Sequence, residues 1–245
     1  MSKEFNFLWE NAQAAAHLNV TEMRHLASRV ALLSYIRIAN EIARQERGGR
    51  ILDWGCGYGQ MSYLLQQRGF DVVSYDVGCA SQDARLPLSR EIHAIIGDDS
   101  VRLPFPDAHF DAVLSCGVLE HVPDEEGSLA EIHRALKPRG IFFIYNLPQK
   151  YSYKEFLIAR FKLGYTHERK YTLGAARALL AKHGFQIVHS HRTGILPHTL
   201  TGLPARVRSM YDIAARQILI ADRLLSRVPV LNQTSEVLEI IARAQ

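Results

Sequence analysis

A glycine-spaced turn follows a short apolar run in the segment ILDWGCGYGQ, residues 51–60. Glycines at every second position let the backbone approach a ligand where a Cβ atom would collide, and a helix that starts after them offers unpaired N–H groups. The spacing is GxGxG after an acid, not the GxGxxG fingerprint of dinucleotide sites, and no lysine followed by Ser or Thr completes a phosphate loop. The segment therefore predicts a nucleoside-type pocket and disfavours phosphate binding.

A carboxylate follows the next apolar run, because Asp76 ends the segment VVSYD, 17 residues after Gly59. A carboxylate in this place can accept two hydrogen bonds from the vicinal hydroxyls of a ribose. An acid after a strand is also common as a helix cap. The turn and the acid together favour a site for an adenosine-like ligand without phosphate.

Short apolar runs alternate with helical patterns from Arg50 onward, which is typical of a parallel sheet with crossover helices. We predict strands near residues 50–54, 71–76, 92–96, 110–115, 140–146 and 185–191, and helices near 59–68, 124–136 and 172–183. The crossover between Asp76 and Ile92 contains Pro87 and no amphipathic pattern. We therefore expect its helix to be shortened.

Helical segments flank this pattern at both ends of the chain. Residues 1–48 are predicted to form an N-terminal helical cap, and residues 49–245 the main domain. Within it, a helical lid insertion at about 193–234 contains a basic amphipathic helix over 204–228, and the last segment returns to the sheet as a strand. The predicted fold is α/β: a doubly wound, Rossmann-like, mostly parallel seven-stranded sheet that binds ligands at the carboxyl ends of its strands.

Composition narrows the class of protein. Of 245 residues, 47% are hydrophobic and 22% are charged, which excludes disorder and collagen-like chains. The sequence has an odd number of cysteines, Cys56, Cys79 and Cys116, which are widely spaced and form no CxxC motif. No leader or membrane-spanning segment is visible either. We therefore expect a reduced, cytoplasmic protein. The net charge of +4 is scattered along the chain, so no nucleic-acid partner is expected.

Five ordered motifs resemble the class I S-adenosylmethionine-dependent methyltransferases, and among them the small-molecule, methyltransferase type 11-like group. After residues 51–60 they are GDD at 97–99 with LPFPD at 103–107, FDAVLSC at 110–116, LEHVPD at 119–124 and LKPRG at 136–140. The similarity spans about residues 50–191. It implies S-adenosylmethionine as cofactor and methyl transfer to a small-molecule acceptor, for which we prefer oxygen over nitrogen or carbon.

The resemblance also assigns cofactor-binding residues by position. The loop would line the methionine part of the cofactor through Asp53, Gly55, Cys56, Gly57 and Gly59. Asp76 would bind the ribose. Asp99, with Asp98 as a substitute, would lie beside the adenine amino group, and because the preceding crossover is short we expect Val77 or Ile96 to cover the ring. Residues after the fourth strand would face the cofactor, namely Ser115, Cys116 and Gly117.

Methyl transfer from a sulfonium is an in-line displacement that needs no protein nucleophile. A hydroxyl acceptor would benefit from a base, and His121 is the candidate because a neutral imidazole takes a proton near pH 7. Glu120 is a second candidate, and a histidine packed at a helix start without a catalytic role is the alternative. Some relatives bind a divalent metal through an acid three residues before the glutamate. That position is Gly117 here, so we predict no metal.

Aromatic residues beyond the fifth strand lie where this family places substrate loops: Tyr151, Tyr153, Phe156, Phe161 and Tyr165. We expect most of them in the core and one or two at the substrate. From the N-terminal cap, Trp9 and Tyr35 are candidates to close over the cofactor.

Two other functions stay open. Methylation of RNA is supported by the basic pI of about 9.0, and a non-catalytic cofactor-binding protein is compatible with the same fold.

The arginine-flanked apolar stripe of residues 204–228 suggests a substrate cover that contacts a membrane surface and takes an amphipathic or lipid-linked acceptor. An ordinary lid or a dimer helix is the alternative.

Overall fold

The computed structural model describes residues 2–78, 83–99, 101–162, 164–200 and 204–245. Cys79 and residues 201–203 of the predicted insertion lie outside them. In chain order the elements are α1 (Lys3–His17), a 3-10 helix (Thr21–Leu26), α2 (Arg29–Gln45), β1 (Arg50–Trp54), α3 (Gln60–Gln66), β2 (Asp71–Asp76), α4 (Pro87–Glu91), β3 (Ile95–Ile96), β4 (Phe110–Cys116), α5 (Glu125–Ala135), β5 (Leu136–Pro148), α6 (Tyr153–Phe161), α7 (Leu173–Lys182), β6 (Phe185–Thr193), α8 (Ala205–Ile213), α9 (Ala215–Leu225), a second 3-10 helix (Leu231–Thr234) and β7 (Val237–Ala244).

The seven strands form one sheet in the order β3-β2-β1-β4-β5-β7-β6. The pairs β1–β2, β1–β4, β2–β3 and β4–β5 are parallel, and β7 runs antiparallel to both β5 and β6. The strand order reverses between β1 and β4, which is where ligands bind in open sheets of this type. The predicted seven-stranded, mostly parallel α/β fold is confirmed.

Helices cover both faces of the sheet, because successive strand residues point to opposite sides. Phe143 of β5 packs in a core with residues of α1, α2 and α3, whereas its neighbour Phe142 packs in a second core with α5 and α7. Burial on both faces explains the uninterrupted apolar run IFFIY at residues 141–145. The predicted N-terminal cap shares the first core with the sheet, and its boundary at residue 48 stays a prediction.

The crossover after β2 is short, as predicted, with α4 only five residues long. Its backbone is held by α1, since the N–H of Leu88 donates to Asn11 Oδ1 at 2.9 Å. The strand predicted near 92–96 was too long, because pairing with β2 is limited to Ile95 and Ile96. The side chain of Ile92 is instead buried in the first core.

The insertion before β7 contains two helices, so the single helix predicted over 204–228 was wrong. The helices are tied to different elements, and the chain leaves helical geometry between them at Ala214. Asp212 of α8 accepts from the N–H of Arg29 at the start of α2, at 2.9 Å. Asp222 of α9 accepts from the N–H of Leu196, just after β6, at 2.8 Å. In the described part of the chain, no helix is long and apolar enough to cross a membrane.

The last strand is confirmed, and it carries a buried carboxylate, Glu239. Arg37 of α2 donates to it through Nη1 at 2.9 Å, and His191 Nε2 of β6 lies 2.8 Å away. Burial alone would raise the pKa of Glu239, but the charge of Arg37 and the hydrogen bonds from His191 and Arg37 outweigh it and lower that pKa to about 2. This ion cluster joins α2 to the sheet.

Candidate functional site

The glycine loop after β1 is hydrogen-bonded to the end of β2. The backbone N–H groups of Gly55 and Cys56 both donate to the carbonyl of Tyr75, at 2.8 and 3.0 Å. Gly55 has φ +72°, and a Cβ there would lie 2.5 Å from the side chain of Val118, so only glycine fits. Gly57 has φ +53°, and apart from its chain neighbours no described residue has an atom within 4 Å of its Cβ position. The loop thus offers bare backbone to an open space.

Asp76 holds this loop from the end of β2. Its Oδ2 accepts from the N–H of Gly57 at 2.7 Å, and its Oδ1 accepts from the N–H of Gly78 at 3.0 Å. An ionised carboxylate has about four acceptor positions, and these two bonds use half of them. Further hydrogen bonds from a pair of hydroxyls are compatible with this arrangement.

Asp53 lies beneath the loop and is only 2% exposed. Ser62 of α3 donates to its Oδ2 at 2.6 Å, and Ser74 of β2 donates to Ser62 at 2.7 Å. Burial raises the pKa of Asp53 to about 6 against the lowering effect of Ser62, and the charge of Asp76 raises it further. A desolvated acid in this position is stabilised by a positive charge brought near it.

Asp98 and Asp99 line an open cleft of about 970 Å³ beside β3, together with Tyr75 of β2 and Ile96. Hydrogen bonds from the N–H groups of Val101 and Arg102 lower the pKa of Asp99 and commit one of its oxygens to a turn.

Two apolar side chains are left uncovered at this edge. Val77 follows β2 and Ile96 ends β3, and both are exposed. Their expected role in covering the adenine ring stays a prediction.

The end of β4 contributes buried polar groups. The hydroxyl of Ser115 has no hydrogen-bond partner among the described residues. Asn146 donates to the thiol of Cys116 at 3.4 Å, and the N–H of Gly117 donates to the carbonyl of Tyr145 at 3.0 Å. Burial raises the pKa of both the Cys116 and Cys56 thiols, so neither is an activated nucleophile.

Two aromatic residues were predicted to close over the cofactor, and one of them, Tyr35, lies near the end of β4. Burial raises its pKa, with further contributions from nearby Cys116 and Asp53. Trp9 instead stacks on Phe5 and lies under the guanidinium of Arg29, 5.3 Å from its ring centre. The cap therefore contributes one side chain to the candidate site.

The two catalytic candidates lie just after β4. Glu120 is 7% exposed, its Oε1 is 3.7 Å from the Cβ position of Gly117, and its Oε2 has no hydrogen-bond partner within the described residues. Burial raises its pKa to about 7. His121 is half-exposed, and burial together with the neighbouring His167 and Arg169 lowers its pKa.

A third side chain, His167, was missed in the sequence. Its ring centre lies 5.6 Å from that of His121, and its Nδ1 lies 3.0 Å from Oε1 of Glu155. It is separated from His121 by 46 residues and belongs to no local motif. No signal in the single sequence pointed to it.

The aromatic residues after β5 are mostly at the surface, so the expectation that they are core residues was wrong. Tyr153 is fixed by a 2.7 Å hydrogen bond from its hydroxyl to the carbonyl of Ile195. The other four are exposed: Tyr151, Phe156, Phe161 and Tyr165. The short helix α6 has few buried residues, since its neighbours cover only one side. Tyr165 lies 5.4 Å from the ring of His167 and so adjoins the catalytic candidates.

Comparison with known proteins gives consistent matches. A family profile described as a methyltransferase domain matches residues 52–144. A sterol 24-C-methyltransferase of Pneumocystis carinii is 30% identical over 200 residues, covering 73% of this chain and 53% of the relative. A 2-phytyl-1,4-naphtoquinone methyltransferase of Synechococcus elongatus is 33% identical over 124 residues, covering 47% of this chain and 53% of the relative. The chain thus spans about half the length of these relatives.

A solved structure shares the fold. A SAM-dependent methyltransferase from Archaeoglobus fulgidus superposes with a TM-score of 0.63 at 17% identity, covering 92% of this chain and 99% of that one. The shared fold and the profile match agree with the glycine loop at the switch point between β1 and β4. The matched domain belongs to the class I S-adenosylmethionine-dependent methyltransferases, for which S-adenosylmethionine is the cofactor.

Proposed function

We propose that this chain transfers a methyl group from S-adenosylmethionine to an apolar small-molecule acceptor, with a hydroxyl oxygen as the acceptor atom. The observation that carries the proposal is the bare backbone at Gly57, which Asp76 holds open at the carboxyl ends of β1 and β2. Glu120 follows β4, and the exposed Tyr165 lies 6.5 Å from the ring of the adjacent His121. In this proposal the donor binds at the glycine loop and the acceptor binds beside Glu120.

The donor side fits the cofactor. When bound, S-adenosylmethionine supplies an electrophilic methyl group on a sulfonium. The free acceptor positions of Asp76 would bind the ribose, and Val77 and Ile96 would pack against the adenine. Asp53 would favour the positive charge of the cofactor, because its buried carboxylate lacks a cationic partner among the described residues. These residues align the donor and keep water from it.

The exposed apolar side chains of α6 and α8 support an apolar acceptor. Phe156 and Phe161 of α6 are exposed, and Ile213 at the end of α8 is 81% exposed. Sterol and naphtoquinone appear in the names of two relatives. A lipid-like acceptor would supply the apolar surface that these side chains lack.

The helical insertion supports contact with an anionic membrane surface. Its apolar residues Met210, Ile220 and Leu224 are exposed. Its exposed arginines form no ion pair with any described residue: Arg206, Arg208, Arg216, Arg223 and Arg227. Exposed apolar and basic side chains on one pair of helices suit peripheral binding to an anionic membrane. We place the reaction at the cytoplasmic side of that membrane, because the thiols of Cys56 and Cys116 are free.

A carbon acceptor is the second candidate. The name of the Pneumocystis carinii relative specifies carbon 24 of a sterol. Fragment mass spectra of the methylated product distinguish the two, because an oxygen acceptor loses the label with its methoxy group and a carbon acceptor retains it.

Methyl transfer is tested with the full chain and methyl-labelled S-adenosylmethionine. The acceptors are a sterol, a prenylated naphthoquinone, a simple phenol and bulk tRNA, with Asp76→Ala as the matched control. We expect label in an apolar acceptor and none in tRNA. Cofactor binding without transfer to any acceptor would favour the non-catalytic alternative, and label in tRNA would favour the RNA alternative.

Membrane contact is tested by co-sedimentation with phosphatidylserine-containing and neutral vesicles at physiological salt. We expect pelleting with the anionic vesicles and a loss of pelleting in the double variant Arg216→Glu, Arg223→Glu. A protein that stays in the supernatant with both vesicle types would contradict the membrane part of the proposal.

A further inference from the structure

We propose that Glu120, His121 and His167 form a binding site for a divalent transition-metal ion of the zinc class. Each of these side chains offers one ligand atom, and the three ligand atoms lie within 4.8 Å of one another. Two imidazole nitrogens and one carboxylate oxygen are a donor set typical of zinc sites that keep a fourth position open for water or a substrate oxygen. Nitrogen donors of this kind disfavour magnesium and calcium, which prefer oxygen ligands.

The carboxylate of Glu120 needs a cation. It is more than nine-tenths buried, and its Oε2 has no partner within the described residues. Arg169 is nearby but is engaged elsewhere, because its Nη1 donates to the carbonyl of Val122 at 2.7 Å and its Nε lies 3.8 Å from Glu125. A buried carboxylate without a cation is costly, and a metal ion at its free oxygen would remove that cost.

His167 is oriented by a second carboxylate. Glu155 lies in α6 and is buried; its Oε1 is 3.0 Å from Nδ1 of His167, and its Oε2 accepts from the N–H of the same residue at 3.1 Å. Lys170 balances the charge of Glu155 at 3.1 Å. Because Nδ1 of His167 is paired with Glu155, its Nε2 is the nitrogen that could bind an ion. Histidines that bind metals usually have their other nitrogen held in this way.

His121 completes the group from the exposed side. Its Nε2 lies 3.8 Å from Oε1 of Glu120. Its ligand nitrogen is one of the three ligand atoms that lie within 4.8 Å of one another, and a neutral imidazole is the form that binds metal. Its half-exposed ring gives an ion a path from solvent.

The earlier prediction of no metal rested on Gly117, which supplies no ligand. The site proposed here takes its third ligand from His167, which lies far along the chain. A comparable group, formed by Glu41, His189 and His191, carries no such proposal because its carboxylate, Glu41, is already paired with the cation of Arg37. It provides a matched control.

The place of the site suggests its use. Glu120 adjoins Gly117 at the end of β4, on the proposed acceptor side. An ion there would hold the oxygen of a hydroxyl acceptor and favour its deprotonation. This role rests on the proposed function, whereas binding of the ion does not.

The experiment uses the full chain after removal of metal with a chelator. Zinc is titrated by calorimetry, bound zinc is counted by elemental analysis, and cobalt(II) gives a visible absorption band that reports nitrogen ligation in a low-coordinate site. We expect one equivalent of zinc. Affinity should fall about tenfold or more in His167→Ala and Glu120→Gln, and by about 10–100-fold in Glu155→Gln, which acts through His167. His189→Ala should bind zinc like the parent protein.

Far-UV circular dichroism checks that each variant is folded. Absence of zinc binding at micromolar concentrations, or equal affinity in the parent and His167→Ala, would overturn the proposal. These readouts need no acceptor. Metal binding without methyl transfer would therefore count against the proposed function alone, and efficient transfer by a protein without zinc affinity would count against the metal site alone.

Discussion

The carboxylate of Asp76 accepts a 2.7 Å hydrogen bond from the backbone N–H of Gly57. The bond joins the end of β2 to the loop after β1, and the two residues are 19 positions apart. The shape of the glycine loop therefore depends on an acidic side chain of the neighbouring strand. Removing that side chain changes both the loop and the group assigned to the ribose.

Asp76→Ala is expected to weaken S-adenosylmethionine binding by about 1–3 kcal/mol, the range for loss of hydrogen bonds to a charged group. Calorimetry with S-adenosylmethionine and S-adenosylhomocysteine measures the change. Asp71→Ala, at the exposed start of the same strand and paired with Arg50, is the control and should leave the affinity unchanged. Equal affinity in the parent protein and Asp76→Ala would rule out the ribose assignment.

Gly57→Ala is expected to reduce cofactor affinity about tenfold or more, because its methyl group enters the open space beside the loop. Gly69→Ala is a matched control. Gly69 also has positive φ, and apart from its chain neighbours no described residue has an atom within 4 Å of its Cβ position, but it lies between α3 and β2. Both variants should lose stability by about 1–2 kcal/mol from left-handed backbone strain. If both bind the cofactor equally well, the cofactor does not contact Gly57.

Cofactor affinity is expected to rise with pH between about 5 and 7. Burial raises the pKa of Asp53 to about 6, so this acid ionises in that window, and its anion attracts the cationic cofactor more strongly than its neutral form does. Binding near pH 6 should therefore release protons. Calorimetry in buffers of different ionisation enthalpy measures the release, and Asp53→Asn should abolish it. A slope that persists in Asp53→Asn would assign the effect to another group.

Acid stability is expected to depend on Glu239. Its pKa is lowered from 4.5 to about 2 in the folded protein, so its contribution is present above pH 4.5 and is lost as the pH falls toward 2. Glu239→Gln should remove part of the acid slope in urea unfolding. At pH 7 we expect it to cost about 3 kcal/mol, the low end for breaking a buried ion pair, because Arg37 is 31% exposed. An unchanged acid slope in this variant would contradict the prediction.

The contribution of His191 to stability changes with pH in the opposite direction to that of Glu239. The bond to Glu239 raises its pKa despite burial, so its stabilising contribution is full below pH 6.5 and is lost as the pH rises through the folded-state pKa. His191→Gln should lower stability at pH 5.5 more than at pH 8.5, as measured by urea unfolding at the two pH values. His189→Gln, on the same strand, is the control. An equal loss at both pH values would show that folding does not raise the pKa of His191.

Much of the fold could be predicted because its signals are local. The strand near residues 50–54, the glycine turn and the acid at 76 follow one another within 27 residues, and burial on both faces makes each central strand a continuous apolar run. Element ends were less predictable. Ile92 was predicted to start a strand, but its side chain packs into the first core, and pairing with β2 begins only at Ile95.

Sequence by itself determined the class of fold, the cofactor loop and the shortened crossover, because backbone sterics and apolar periodicity act between neighbouring residues. Only the tertiary structure decided that the insertion breaks at Ala214, that Phe156 and Phe161 face solvent, and that His167 meets Glu120. Each of these outcomes depends on contacts between residues far apart in the chain. Such contacts follow from the path of the folded backbone, which no local pattern encodes.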